Sequence, residues 1–147
     1  MEENRIAVTD NFYEEDGMIA ELSAPATSAY CSLRPANDEE DKMLYNAVMN
    51  ADYRLREVVN QTIAVRHIYC EIIDVTNKET GEVTKAPRIV IIDDEGKSYQ
   101  SVSIGIFNSI KKLFQIKGMP DRWEKPVYMT VKQVARGERV MLTLVMA

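Results

Sequence analysis

Runs rich in β-branched residues, one strongly periodic helix and a closing alternating hairpin predict a mainly β protein. The sequence divides into a five-stranded barrel over residues 62–147, an N-terminal helical segment over 38–61 and a flexible acidic arm over 1–37. Period separates the element types: apolar residues two apart mark a half-buried strand, and apolar residues three to four apart mark a helix. With 147 residues, 46% of them apolar and 28% charged, the chain has room for one core and its flanking segments.

Residues 1–37 carry the cluster Glu14-Glu15-Asp16, many small residues and the prolines Pro25 and Pro35, without sustained periodicity, and are expected to be extended or disordered. Asn37-Asp38-Glu39-Glu40 puts capping side chains and carboxylates ahead of Met43, Leu44, Ala47 and Val48, which predicts a helix from about Asp38 to Asn50. Tyr53 to Val59 fits either a short helix or a lead-in to the first strand. From Thr62 to Thr76 the strand signal is strong but changes phase, because Ile63 and Val65 share one parity while Ile68, Cys70 and Ile72 share the other. A bulge or bend near Arg66-His67 accounts for the change.

Asn77 to Glu82 is a turn, and Pro87 to Asp93, with Ile89, Val90, Ile91 and Ile92 in succession, is a strand apolar on both faces. Asp93-Asp94-Glu95-Gly96 is a hairpin turn into a third strand, Lys97 to Ser103. Ser103 caps a helix whose apolar positions Ile106, Phe107, Ile110, Leu113 and Phe114 keep the helical period until Gly118 and Pro120 stop it. Val127, Met129 and Val131 alternate in a fourth strand, Ala135 to Glu138 turn the chain, and Val140, Leu142, Leu144 and Met146 alternate in a fifth. Three strands, a helix and a hairpin form the order of the OB-fold, whose long first strand must bend to serve both halves of so small a barrel. Other α+β meanders share that order.

The net charge of −5 is unevenly spread. Residues 1–60 hold 13 Asp/Glu against 5 Lys/Arg, residues 61–147 hold 10 against 13, and from Lys97 onward 9 basic residues face 3 acidic ones. An acidic front and a basic back point to nucleic-acid contact in the C-terminal part, with a solvated basic surface beside an acidic tail as the plainer account. No apolar run approaches the roughly 20 residues that span a bilayer, and no apolar segment follows the first residues, so a cytoplasmic protein is expected. Cys31 and Cys70 lie far apart without CxxC spacing and are expected to be free thiols.

Catalysis has little to draw on. His67 is the only histidine, and neither a phosphate-loop nor a dinucleotide-binding glycine pattern occurs. Asp93-Asp94-Glu95, adjacent carboxylates followed by glycine, fit a solvated hairpin tip better than a Mg²⁺ site. No catalytic residue, metal or cofactor is therefore expected.

Holding a single polynucleotide strand requires cations along its phosphates and flat side chains under its bases. The usual surface of an OB barrel is the face of its second and third strands with the loops joining strands one–two and four–five. On this sequence that surface takes in Lys85 and Arg88 by the first loop, Lys97 and Tyr99 on the third strand, and Arg136 and Arg139 at the last hairpin, with Lys132 extending the track. Arg66, Tyr69, Trp123 and Tyr128 are further candidates. Tyr69, Trp123 and Tyr128 serve equally well as plugs at the barrel ends, and Arg136 and Arg139 as charges that keep an edge soluble.

Three runs carry a resemblance: Ala86-Pro-Arg-Ile-Val-Ile-Ile-Asp-Asp-Glu-Gly-Lys-Ser-Tyr-Gln-Ser-Val-Ser103, Gly105-Ile-Phe-Asn-Ser-Ile-Lys-Lys112 and Val131-Lys-Gln-Val-Ala-Arg-Gly-Glu-Arg-Val-Met-Leu-Thr-Leu144. With Asn50 to Leu55, they resemble the small single-stranded DNA-binding proteins encoded by phages and conjugative plasmids of Gram-positive bacteria. The resemblance, from about Leu44 to the C-terminus, implies an OB-fold protein that coats single-stranded DNA in replication or conjugative transfer of a mobile element, as an oligomer or filament. The alternative from another class is an OB-fold adaptor that docks replication or transfer proteins without appreciable DNA affinity. The arm matches no motif of the family; its apolar and small residues between Ala20 and Leu33 suit self-association by docking on another subunit.

Overall fold

One 15-residue strand organises the fold. The structure, a computed structural model, describes residues 29–147. In chain order the elements are β1 (Ala29–Cys31), α1 (Asp38–Met49), β2 (Tyr53–Arg54), a 3-10 turn (Leu55–Val58), β3 (Thr62–Thr76), β4 (Val83–Asp93) and β5 (Ser98–Ser101). They continue as α2 (Ile104–Lys117), a second 3-10 turn (Pro120–Arg122), β6 (Val127–Arg136) and β7 (Arg139–Met146).

The sheet runs β2-β5-β4-β3-β6-β7, with β1 added to β3. Among the described residues only the β2–β5 pairing is parallel. The first residues of β3, Thr62 to Val65, pair with β6, and from Val65 onward the strand pairs with β4. The register slips between Val65 and His67, leaving Arg66 as an extra residue, so the predicted bulge lies where the phase of the apolar residues changes. By switching partners along its length, β3 curls the sheet around a core that takes Ile63, Val65, Ile68 and Cys70 from β3 itself, Ile89 and Ile91 from β4, and Ile106, Ile110 and Leu113 from α2.

The described residues hold seven strands where the sequence reading has five. The additions are short. β1 lies within the segment read as arm: Ala29, Tyr30 and Cys31 pair with Glu71, Cys70 and Tyr69, and Ser32 and Leu33 behind them are buried. Ser32 stitches this segment down, its backbone N–H donating to the Ile68 carbonyl and its Oγ accepting from Ile68 N–H at 2.9 Å. The rest of the arm reading, residues 1–28, lies outside the described residues. β2, in the stretch left open between helix and strand, is held by a reciprocal clamp: Asp52 N–H donates to Ser98 Oγ (3.0 Å), and Ser98 N–H donates back to Asp52 Oδ2 (2.9 Å).

Both helices form where predicted, for local reasons. Asn37 caps α1 by accepting from Glu40 N–H, and Ser103 caps α2 by accepting from Gly105 and Ile106 N–H. Gly118, at φ 80°, ends α2. α2 lies against β7, where Ser109 Oγ accepts from Leu144 N–H at 3.1 Å and so satisfies an edge-strand donor. At Gly105 the helix comes so close that a Cβ would overlap the Leu142 carbonyl oxygen. α1 packs on the opposite face of the sheet, where Leu44 and Ala47 cover Val90, Ile92 and Tyr69. The apolar run of β4 is thus buried on both faces: Ile89 and Ile91 face the main core, Val90 and Ile92 face α1.

Candidate nucleic-acid interface

The outer face of β3, β4 and β5, where an OB barrel usually binds its strand, is occupied. α1 covers its middle and opens with four successive carboxylates, Asp38, Glu39, Glu40 and Asp41. The predicted cations of this face are matched to acids or carbonyls. Lys85 Nζ lies 3.2 Å from Asp74 Oδ1 on the neighbouring strand. Arg88 donates to Glu71 Oε2 (3.1 Å), to Gln100 Oε1 (3.0 Å) and to the Val48 carbonyl at the end of α1, leaving 13% of its side chain exposed. A guanidinium on the last carbonyls of a helix is a favourable C-terminal partner, so Arg88 fastens α1 to the sheet. Tyr69 donates to Glu71 Oε1 at 2.9 Å and packs under α1; burial, then the neighbouring Glu71 charge, pushes its phenol pKa up and keeps the proton on.

Tyr99, predicted as a base platform, is 8% exposed and belongs to the core. Its hydroxyl donates to Asp93 Oδ2 at 2.9 Å, and burial followed by that bond raises its pKa. Asp93 also accepts from Glu95 and Lys97 N–H through Oδ1, so the hairpin carboxylate shapes the turn and anchors Tyr99 together. Lying on Tyr99 is a residue that the sequence reading did not select: the Tyr53 ring stacks at 5.3 Å between centroids and 21° between planes. Tyr53 keeps 39% of its surface open. The pair borders a cleft of about 510 Å³ with Lys97, Glu57 and Gln61. Lys97 is exposed, and its contact to Glu95 at 3.7 Å is of a kind worth little in water.

A second group lies on β6 and β7. Tyr128, 54% exposed, and Lys132 share one face of β6; Arg136 and Arg139 face each other beside Gly137 at the hairpin and are exposed. Lys132 Nζ donates to Asn60 Oδ1 at 3.2 Å. Trp123 is not with them: it is buried in the main core, donating Nε1–H to the Gly118 carbonyl at 3.1 Å. Arg66 is half-buried at the bulge, its Nη1 out of solvent and without a hydrogen-bond partner among the described residues. The predicted set is therefore split: Arg88 and Tyr69 are bound into the α1 face, Tyr99 and Trp123 into the core, Lys85 is exposed and paired with Asp74, and Lys97, Tyr128, Lys132, Arg136 and Arg139 stand exposed.

His67 is half-buried, with Nδ1 3.3 Å from Ser32 Oγ, and burial lowers its pKa. The Cys70 thiol, buried in the core, is pushed up to about 12, chiefly by desolvation, and Cys31 lies on the other side of the strand pair against Tyr69; both are free thiols. Among the described residues no group of three His, Cys, Asp or Glu is placed to hold a metal, and no helix is long and apolar enough to cross a membrane.

Tyr53, exposed at its cleft, has one cation, Lys97, and one carboxylate, Glu57, beside it, and a flat ring with a cation nearby are the two ingredients that holding a polynucleotide strand requires. Residues 27–147 match the family model described as phage single-stranded DNA-binding protein, of the phi29 type, and the chain belongs to that family, one of non-catalytic DNA-binding proteins. Neither the curated proteins nor the solved structures give a match. The matched span begins two residues before β1 and takes in every described element.

Proposed function

We propose that the protein binds single-stranded DNA with little sequence preference, as a cytoplasmic, non-catalytic coat in replication or conjugative transfer of a phage or plasmid, and that its curled sheet is an OB barrel with two short strands added. Self-association through the N-terminal arm is part of the same proposal. The observation that carries the binding mode is the Tyr53 ring resting on Tyr99 and open at the cleft beside Lys97. A ring supported from beneath gives a base a flat, rigid surface at little entropic cost, and every base has a face to offer it.

Titration of fluorescent single- and double-stranded oligonucleotides at two salt concentrations tests the reading. Single strands are expected to bind more tightly, and affinity to fall as salt rises. Tyr53→Ala is expected to cost about 1–3 kcal/mol of binding, the range for one stacking platform, and Tyr53→Phe to keep most of it. A parent protein that binds no single strand at low salt would favour the adaptor.

A further inference from the structure

We infer that the DNA strand leaves the Tyr53 cleft over the edge of the sheet and places its phosphates in a second cleft, at the unclosed seam between the β2–β5 edge and β7, where Arg54 and Arg56 receive them. The inference rests on the single-strand-binding reading above and adds to it a path and a phosphate site. The seam exists because the sheet's hydrogen-bonded path ends at β2 on one side and β7 on the other. A cleft of about 480 Å³ lies in it, lined by Arg54 and Arg56, by Gln100, Ser101 and Ser103 at the end of β5, and by Leu142 of β7.

The lining of this cleft is basic and polar. No Asp or Glu contributes to it. The guanidinium groups of Arg54 and Arg56 make no hydrogen bond or ion pair among the described residues, whereas Arg88 is held by Glu71 and Lys97 lies near Glu95. Ser101 Oγ accepts from Ser103 N–H, and Ser103 Oγ accepts from Gly105 and Ile106 N–H. Each hydroxyl is used as an acceptor, so its proton is left to donate into the cleft. Gln100 is in the same position: its Oε1 accepts from Arg88, and its amide N–H groups are uncommitted among the described residues. Two cations and three further donors around a space without a carboxylate select an anion, and planar guanidinium groups match phosphate oxygens in particular.

The occupant is the backbone of the strand stacked on Tyr53. Tyr53 and Arg54 are the two residues of β2, paired with Tyr99 and Gln100, and they serve the two clefts on opposite sides of that short edge strand. A strand crossing β2 joins the clefts within a few nucleotides, inside the roughly 4–16 that one OB fold covers. The acidic helix α1 on the outer face of β4 and β5 repels phosphates from the alternative route.

Oligothymidylate titration of the full chain over a salt series decides the matter, comparing the parent, Arg54→Ala/Arg56→Ala, Tyr53→Ala, and Lys117→Ala/Lys125→Ala as a charge-matched control, with circular dichroism confirming the fold of each. The expected result is weaker binding by the arginine double variant, with a salt slope shallower by about 1.4, two contacts at about 0.7 each. The lysine control keeps the parent slope, and inorganic phosphate displaces no more oligonucleotide than sodium chloride of equal ionic strength. An arginine variant with the parent's affinity and slope, beside a Tyr53→Ala variant that binds weakly, overturns the seam path and leaves single-strand binding standing. Specific displacement by inorganic phosphate overturns it also, assigning the cleft to a free anion. A parent that binds no oligothymidylate overturns both readings.

Discussion

Arg88 shows how a side chain's surroundings outweigh its charge. Counted along the chain it is one of the cations of a basic C-terminal part; in the fold it ties together α1, β3 and β5 through the Val48 carbonyl, Glu71 and Gln100. Those partners lie 40, 17 and 12 residues away, beyond the reach of any local pattern. Replacing it with alanine is expected to lower stability by about 1.5–3 kcal/mol, the value of hydrogen bonds to a charged group, and to leave the salt slope of DNA binding unchanged. Urea denaturation read beside the binding titration checks both; a shallower slope with parental stability would place a phosphate at Arg88. Tyr53 is hidden in the sequence for the complementary reason. Its neighbours do not mark it as a platform; its parallel pairing with Tyr99 does, and a two-residue strand carries no periodicity of its own.

Among the elements, those with local causes were legible. α2 has a serine cap, a helical apolar stripe and a stop glycine within 16 residues of sequence, and it forms between them. β3 announced its bulge because burial on one face ties parity to position. β1 and β2 could not be read in this way, since strands of three and two residues exist only through the partners that pair with them. The docking of α2 on β7 was equally silent in the sequence, although Gly105 was there to be seen. Gly105→Ala is expected to destabilise the protein by about 1–3 kcal/mol, because its methyl group must push the helix away from the Leu142 carbonyl. The alanine gain in helix propensity, of up to about 1 kcal/mol, does not offset that. A thermal melt of the variant at or above the parent's midpoint would show that the helix rides further from β7.

Over the whole molecule, charge is partitioned by chain position. Residues 1–28 hold seven Asp/Glu and one Arg, a net of −6, while residues 29–147 hold 16 acidic and 17 basic residues, a net of +1, so the whole of the net negative charge belongs to the segment ahead of β1. Where the arm is cut therefore matters. A truncation at residue 36 also removes β1 and the buried Ser32 and Leu33, and so removes part of the fold. Cutting after residue 28 spares them. On the self-association proposal, that truncated protein is expected to form smaller particles by light scattering and to bind single strands less cooperatively. Unchanged particle size with tighter binding at low salt would instead make the arm a repulsive tail.

The bulge at Arg66 separates two requirements that usually travel together, the chemistry of a position and its mere presence. Upstream of it Ile63 and Val65 point into the core, downstream Ile68 and Cys70 do, and the extra residue is what lets both halves face inward. Exchange of Arg66 for another side chain leaves that count intact. Loss of a single residue anywhere from Val65 to His67 removes the count and turns one half of β3 inside out, carrying its pairing with either β6 or β4 out of phase. Chain length through this segment is thus under tighter constraint than residue identity, the reverse of the exposed turn Asn77 to Glu82, where an added residue has solvent to occupy.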